Sequence, residues 1–269
     1  MARTLHGFGE LLKRVRVADG GASAYMPEDW TQGRSMFGGL PTAVTLRAMR
    51  AYVDESRRPR SLLVSFVGPV EVGWVEIEVN ELRKGRAVTH LEARLIQNGS
   101  VRCVVLGSFG SDRESGISVP SPPRPHAAGP EGLAELTFLP GVTPTFTQHV
   151  AFRWTIGAEP FTGVEASEVG GWCRFREQVR PTTEEWVLAL VDAWPAPIIP
   201  MFDKPTPTSS LSWTIEFVQL DPNASVDDWW FFHSIADNAA AGYVHAHAAL
   251  WDPAGRLAAL GRQVITVFG

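Results

Sequence analysis

Few residues in this sequence combine reactive chemistry with a placement that could use it. His245 and His247 stand two residues apart, so a strand would put them on one face, and His233 lies across a hairpin from them. Three imidazoles could bind a metal, but no carboxylate partner or supporting shell accompanies them, and no metal is expected. Cys103 and Cys173 sit in apolar strand-like stretches, where a thiol nucleophile would need an activating base. No Gly-x-Ser-x-Gly elbow is present, which argues against an α/β-hydrolase. Three features stay in play. Phe37-Gly38-Gly39 precedes a helix, and amides at a helix start attract an anion or a carbonyl oxygen; close packing of helix on sheet would also want glycine. Asp192 ends a second helix, where a carboxylate opposes the helix dipole. Gln263 falls where an internal repeat has Phe109.

The elements that carry these residues can be read from periodicity. From Leu40 to about Asp54, Arg47, Arg50 and Asp54 share one helical face, and Thr42, Thr45, Leu46, Met49, Tyr52 and Val53 share the other. Strands follow. Val75, Ile77 and Val79 alternate with Glu76, Glu78 and Asn80, and Asn98-Gly99 marks a hairpin with a return strand from Val101 to Phe109. The second part of the chain repeats the order. A helix from about Thr182 to Asp192 precedes an alternating strand from Thr208 to Val218. Strands near 228–237 and 242–251 come next, then an Asp252–Gly255 turn and a return from Arg256 to Phe268. RLIQNGSVRCVVLGSF and ALWDPAGRLAALGRQ overlay as strand, turn, strand, Leu-Gly, with Leu106-Gly107 on Leu260-Gly261. A repeat of this length indicates a duplicated domain. The expected organisation is residues 1–115, a Pro-rich linker at 116–145, and 146–269.

Composition bounds the class. The chain has 269 residues, 45% hydrophobic and 20% charged, an ordinary globular balance that excludes disorder or coiled coil for the bulk. Net charge is −5 with no long Lys/Arg block, so nucleic acid is not an expected partner, though a local basic patch could serve a phosphorylated cofactor. Two cysteines make no disulfide framework and suit a reducing cytoplasm. MARTLHGFGELLKRV lacks a signal-peptide core, and no stretch approaches the ~18 apolar residues of a membrane span, so no membrane is expected. Ten tryptophans suit cores and apolar pockets.

The segment WTQGRSMFGGLPTAVTLRAM, Trp30–Met49, resembles the first hotdog helix of the TesB-like acyl-CoA thioesterases, with their Phe-Gly-Gly before the helix. The resemblance extends over nearly the whole chain and is looser in the second half. It implies an α+β double hotdog: two curved antiparallel sheets, each wrapped around a long central helix. It implies hydrolysis of an acyl-CoA by an Asp, a Thr or Ser, and a Gln that hold the attacking water. Residue by residue, the Asp falls on Asp192 and the Gln on Gln263. The hydroxyl falls on Ser210, with Ser212 as the alternative register, because the family's Asp-His after that position is replaced by Ser212-Trp213. Phe37, Gly38 and Gly39 become substrate-binding residues. No cofactor is implied, and a role in lipid metabolism and a homo-oligomer are expected. The competing readings are a non-enzymatic acyl-CoA or lipid-binding hotdog protein and a hotdog hydratase or dehydratase. The hydratase motif is absent from the sequence, and neither helix carries the histidine a dehydratase needs.

Overall fold

A computed structural model describes residues 5–221 and 223–268. The chain forms two compact units, Met1–Ile117 with Phe138–His149, and Ser118–Thr137 with Val150–Gly269. The first contains α1 (Phe8–Lys13), β1 (Arg16–Ala18), β2 (Gly21–Met26), β3 (Thr31–Gln32), β4 (Ser35–Met36), α2 (Gly39–Arg50), β5 (Arg58–Phe66), β6 (Gly73–Lys84), β7 (Val88–Gln97) and β8 (Ser100–Gly110). Its main ladder runs β1-β2-β6-β7-β8-β5, antiparallel throughout, and β3 and β4 form a separate two-strand pair. The second contains β9 (Val150–Ile156), β10 (Glu168–Phe175), α3 (Glu184–Asp192), β11 (Thr208–Phe217), β12 (Trp230–Ala240), β13 (Tyr243–Trp251) and β14 (Leu257–Val267). Its ladder runs β11-β14-β13-β12-β10-β9, also antiparallel.

Local sequence explains these elements. Val75, Ile77 and Val79 are buried while Glu76, Glu78 and Asn80 are exposed, the period-2 pattern of a sheet with one covered face. Asn98 and Gly99 take φ of 53° and 71°, the left-handed pair of a two-residue hairpin loop. In α2 every residue from Gly39 to Leu46 is buried, with Ala48 and Met49; Arg47 alone is fully exposed. The hydroxyls of Thr42 and Thr45 donate to the Gly38 and Pro41 carbonyls, so neither is buried without a partner.

The helices are shorter than their periodicity suggests. α2 ends at Arg50 rather than Asp54: the chain turns at Ala51, and the Tyr52 hydroxyl donates to the Ala18 carbonyl on β1. α3 has nine residues and begins at Glu184 rather than Thr182, because Thr182 is buried with its hydroxyl on the Ala224 carbonyl.

The duplication is visible in the packing. Gly107 on β8 lies under α2, where an added Cβ would come within 2.7 Å of Met49 Cε. Gly261 on β14 lies under α3, where an added Cβ would come within 3.3 Å of Val191 Cγ1. Met49 and Val191 are each the last residue but one of their helix. This superposition puts Phe109 on Gln263, as the sequence overlay expects, and Arg50 on Asp192.

The Pro-rich segment is not a bare tether. Residues 118–137 lie against the second unit, on the sheet face carrying Trp172, Phe231 and Trp251. The Trp172 and Trp251 indoles donate to the Ala128 and Pro122 carbonyls, and the Leu136 amide donates to Phe152. The Arg124 guanidinium sits 4.8 Å over both Trp172 and Phe231. Proline cannot join a ladder, but it can lie flat on an aromatic face. Among the described residues, no helix is long and apolar enough to cross a membrane.

Candidate active site

Asp192 is the last residue of α3, half-buried, and Gln263 is half-buried on β14. Gln263 Nε2 donates to Asp192 Oδ1 at 3.2 Å, so the structure brings these two residues together. An amide that donates to the carboxylate leaves its own carbonyl oxygen to accept, which lets the pair hold a water from two sides.

Strand β11 separates the two candidate hydroxyls. Simple alternation would put Ser210 and Ser212 on one face, opposite Trp213. A bulge at Leu211 breaks that pattern. Trp213 pairs with Gln263 and Ser210 with Ile265, two residues further on β14, so Ser210 shares the face of Gln263. Ser212 pairs with Val264 on the opposite face and is exposed. The face assignment of the simple alternation is therefore corrected for Ser210, and the bulge separates the two candidate registers.

Gln263 borders a small open cleft, which Val191, Trp194, Trp213, Phe232, the Pro195–Pro197 turn, Ser234 and His247 also line. These aromatics were not picked out individually in the sequence. The available signals were the number of tryptophans and the run Trp194-Pro195-Ala196-Pro197 immediately after Asp192.

In the first unit, Phe37 is fully buried and stacked on Phe146, with ring centroids 4.2 Å apart. Its side chain is core, and only its backbone is left for a ligand. Gly38 sits at φ −61° and ψ −28°, a helical conformation open to any residue, so the glycine is not there for its dihedral angles. The first intrahelical bond runs from Thr42 N–H to the Gly38 carbonyl, so the Gly38 and Gly39 amides precede the helical ladder.

The same unit holds a polar cluster that the sequence did not suggest. Buried Asp29 accepts from the His6 amide at 2.7 Å and lies 2.8 Å from His6 Nδ1 and 3.0 Å from His149 Nε2. The His149 ring stacks on Trp30 at 4.2 Å. Burial pushes the Asp29 carboxyl up, but hydrogen bonds from His149 and from the backbone and ring of His6 outweigh it and hold the carboxyl below its usual range. His149 is too far along the chain from Asp29 for any local motif to reveal the pairing.

The remaining candidates do not converge. His247 Nδ1 lies 2.7 Å from Asp237, which also takes Arg262 at 2.9 Å, and His233 pairs with Glu168 at 2.9 Å. Among the described residues, no group of three or more His, Cys, Asp or Glu could hold a metal ion. Burial pushes the Cys103 and Cys173 thiols up to about 12, the wrong direction for a nucleophile.

Comparison with known proteins gives a consistent picture. Residues 26–110 match the family described as acyl-CoA thioesterase N-terminal domain, and residues 130–267 match the acyl-CoA thioesterase C-terminal domain. No curated protein matches the chain. Among solved structures, it is similar to a conserved protein of unknown function with hot dog fold from Alicyclobacillus acidocaldarius, at TM-score 0.88 and 21% identity over 99% of each chain. It is also similar to the acyl-CoA thioesterase II TesB2 from Mycobacterium marinum, at TM-score 0.79 and 17% identity over 97% of this chain and 98% of that one. The tesB protein of Mycobacterium avium subspecies paratuberculosis matches at TM-score 0.80 and 18% identity, over 97% of this chain and 98% of that one. At such identities these likenesses show the hotdog, α+β fold.

Proposed function

The chain belongs to the acyl-CoA thioesterase family, and from that premise we propose that Asp192, Gln263 and Ser210 direct a water onto the thioester carbonyl of an acyl-CoA. The protein is a thioester hydrolase by family; the route through Asp192 is the further step. The observation that carries it is the 3.2 Å contact of Gln263 with Asp192, with Gln263 on the lining of an open cleft.

The chemistry is general-base hydrolysis. Asp192 takes a proton from the water as its oxygen attacks the carbonyl carbon. The carbon–sulfur bond then breaks, and the proton passes to the departing sulfur, giving free acid and CoA thiol. Gln263 and Ser210 fix the direction of the water and need not change protonation. Within the first unit, the proposal gives Gly38 and Gly39 substrate contacts through their amides. Phe37 contributes through backbone alone. A cytoplasmic homo-oligomer acting in lipid metabolism is part of the same reading.

The test is thiol release from a panel of acyl-CoAs by wild type and Asp192→Asn. Asn keeps the shape and the hydrogen bond but cannot take the proton, so kcat should fall ~10²–10⁴-fold with the circular dichroism spectrum unchanged. Full activity in Asp192→Asn would exclude this mechanism. Binding of acyl-CoA without hydrolysis by wild type would favour a binding protein.

A further inference from the structure

Trp213 on β11 pairs directly with Gln263 on β14, and only 2% of it is exposed. Its indole N–H nevertheless has no acceptor among the described residues. The nitrogen lies over Gly261, where an added Cβ would come within 3.2 Å of it. Gly261, Trp213 and Gln263 all line the small cleft, so this N–H opens onto the cleft floor. Ala246 and Ala248, the partners of Gln263 and Gly261 on β13, complete that floor. Their small side chains leave room for about one water. Ser234 stands beyond Ala248, 5% exposed, and its hydroxyl donates to the His247 carbonyl at 2.9 Å, which leaves its oxygen lone pairs to accept. The opposite wall is fixed. The Trp194 ring stacks on Phe232 at 5.4 Å and 8°, and a Cβ at Gly171 would lie 3.0 Å from Trp194 Cη2.

Gln263 gives this space a purpose. An amide can turn either end toward Asp192, and only the NH2 end attracts a carboxylate. Gln263 presents Nε2 to Asp192, and Asp192 does not line the cleft while Gln263 does. Oε1 needs a donor on the cleft side if that orientation is to be held. A water supplies it. Such a water accepts from Trp213 Nε1 and donates its two hydrogens to Gln263 Oε1 and Ser234 Oγ, three partners of the kind a buried water keeps.

We propose that Trp213 is a positioning residue for the hydrolysis: with Ser234 it holds one ordered water against the carbonyl end of Gln263, and so keeps the NH2 end of that amide on Asp192. The cleft is then a seat for water. This rests on the reading of Asp192 as the base.

A high-resolution crystal structure of the wild type should show a water bonded to Trp213 Nε1, Gln263 Oε1 and Ser234 Oγ, and Trp213→Phe should lose it. A wild type without that water overturns the proposal, whatever its activity. In steady-state kinetics Trp213→Phe, which keeps a ring and removes the N–H, should lower kcat about tenfold with KM unchanged, the scale of one hydrogen bond. Trp213→His, which restores a ring N–H, should return kcat to within about threefold of wild type. Ser234→Ala, which removes the other partner, should lower kcat in the same way, and it carries the test if Trp213→Phe does not fold. In a Gln263→Ala background, Trp213→Phe should change kcat by less than about twofold, because the group it acts through is gone. Equal losses in the two backgrounds, or a His variant no better than Phe, overturn the proposal and leave the thioesterase reading intact. If the water is in place and no acyl-CoA is hydrolysed, the thioesterase reading fails and the hold of Trp213 on Gln263 stands.

Discussion

Ser210 and Ser212 have the same side chain and neighbouring positions, yet the bulge at Leu211 gives them opposite faces. Ser210→Ala should therefore lower kcat several-fold, while Ser212→Ala leaves it at the wild-type value; steady-state kinetics on one good acyl-CoA decides between them. Gln263→Ala should cost less than Asp192→Asn, because it removes a water-positioning group and leaves the base. Asp29 makes a different prediction, one about stability. Its folded carboxyl is held below the unfolded value of ~3.9, so its contribution is complete above that value and is lost as pH falls through the folded one. Asp29→Asn should destabilise the protein by about 2 kcal/mol at pH 7 and by less at about pH 3, where the unfolded carboxyl is already largely protonated. Urea midpoints at the two pH values measure this, and equal losses at both would rule out ionised Asp29 as the source.

At the level of the elements, glycine at a close approach is the sensitive point. Gly171 on β10 has φ +153°, and a Cβ there would lie 2.1 Å from the Arg153 carbonyl oxygen, so the backbone itself would have to move. Gly171→Ala should cost about 3 kcal/mol and weaken the seat of Trp194, which thermal melts and tryptophan fluorescence would report together. The contrast with Gly255 is instructive: its φ is +80°, but nothing lies near its missing Cβ. Such distinctions were hidden in the sequence, where both are simply glycines. The strands and the repeat were legible because alternation and turn chemistry are local: Val75, Ile77 and Val79 announce their face unaided. Asp192 and Gln263 were singled out through the family motif, and their contact is what the structure adds. The bulge was not, because Leu211 fits the alternation of β11 as well as any residue does; only pairing with β14 shows it to be the extra one. The helix ends were missed because Tyr52 and Thr182 are diverted by partners on distant segments.

At the scale of the molecule, the Pro-rich segment works as a cover. Residues 118–137 shield Trp172, Phe231 and Trp251 on a sheet face that would otherwise expose a large apolar patch. Replacing residues 118–137 with a Gly-Ser chain of equal length should leave the strands in place, raise binding of an apolar dye such as ANS, and red-shift tryptophan emission. An unchanged emission maximum would mean that the cover is dispensable.

The route of the chain has a consequence for its synthesis. The first unit is closed by residues 138–149, which bring Phe146 onto Phe37 and His149 onto Asp29 after the cover for the second unit has already been made. At the ~5–20 residues per second of translation, the stretch from Ile117 to His149 takes about 2–6 s. During that interval the nascent first unit carries Asp29 without His149 and Phe37 without Phe146, a window in which a ribosome-bound chaperone would find an unfinished apolar surface.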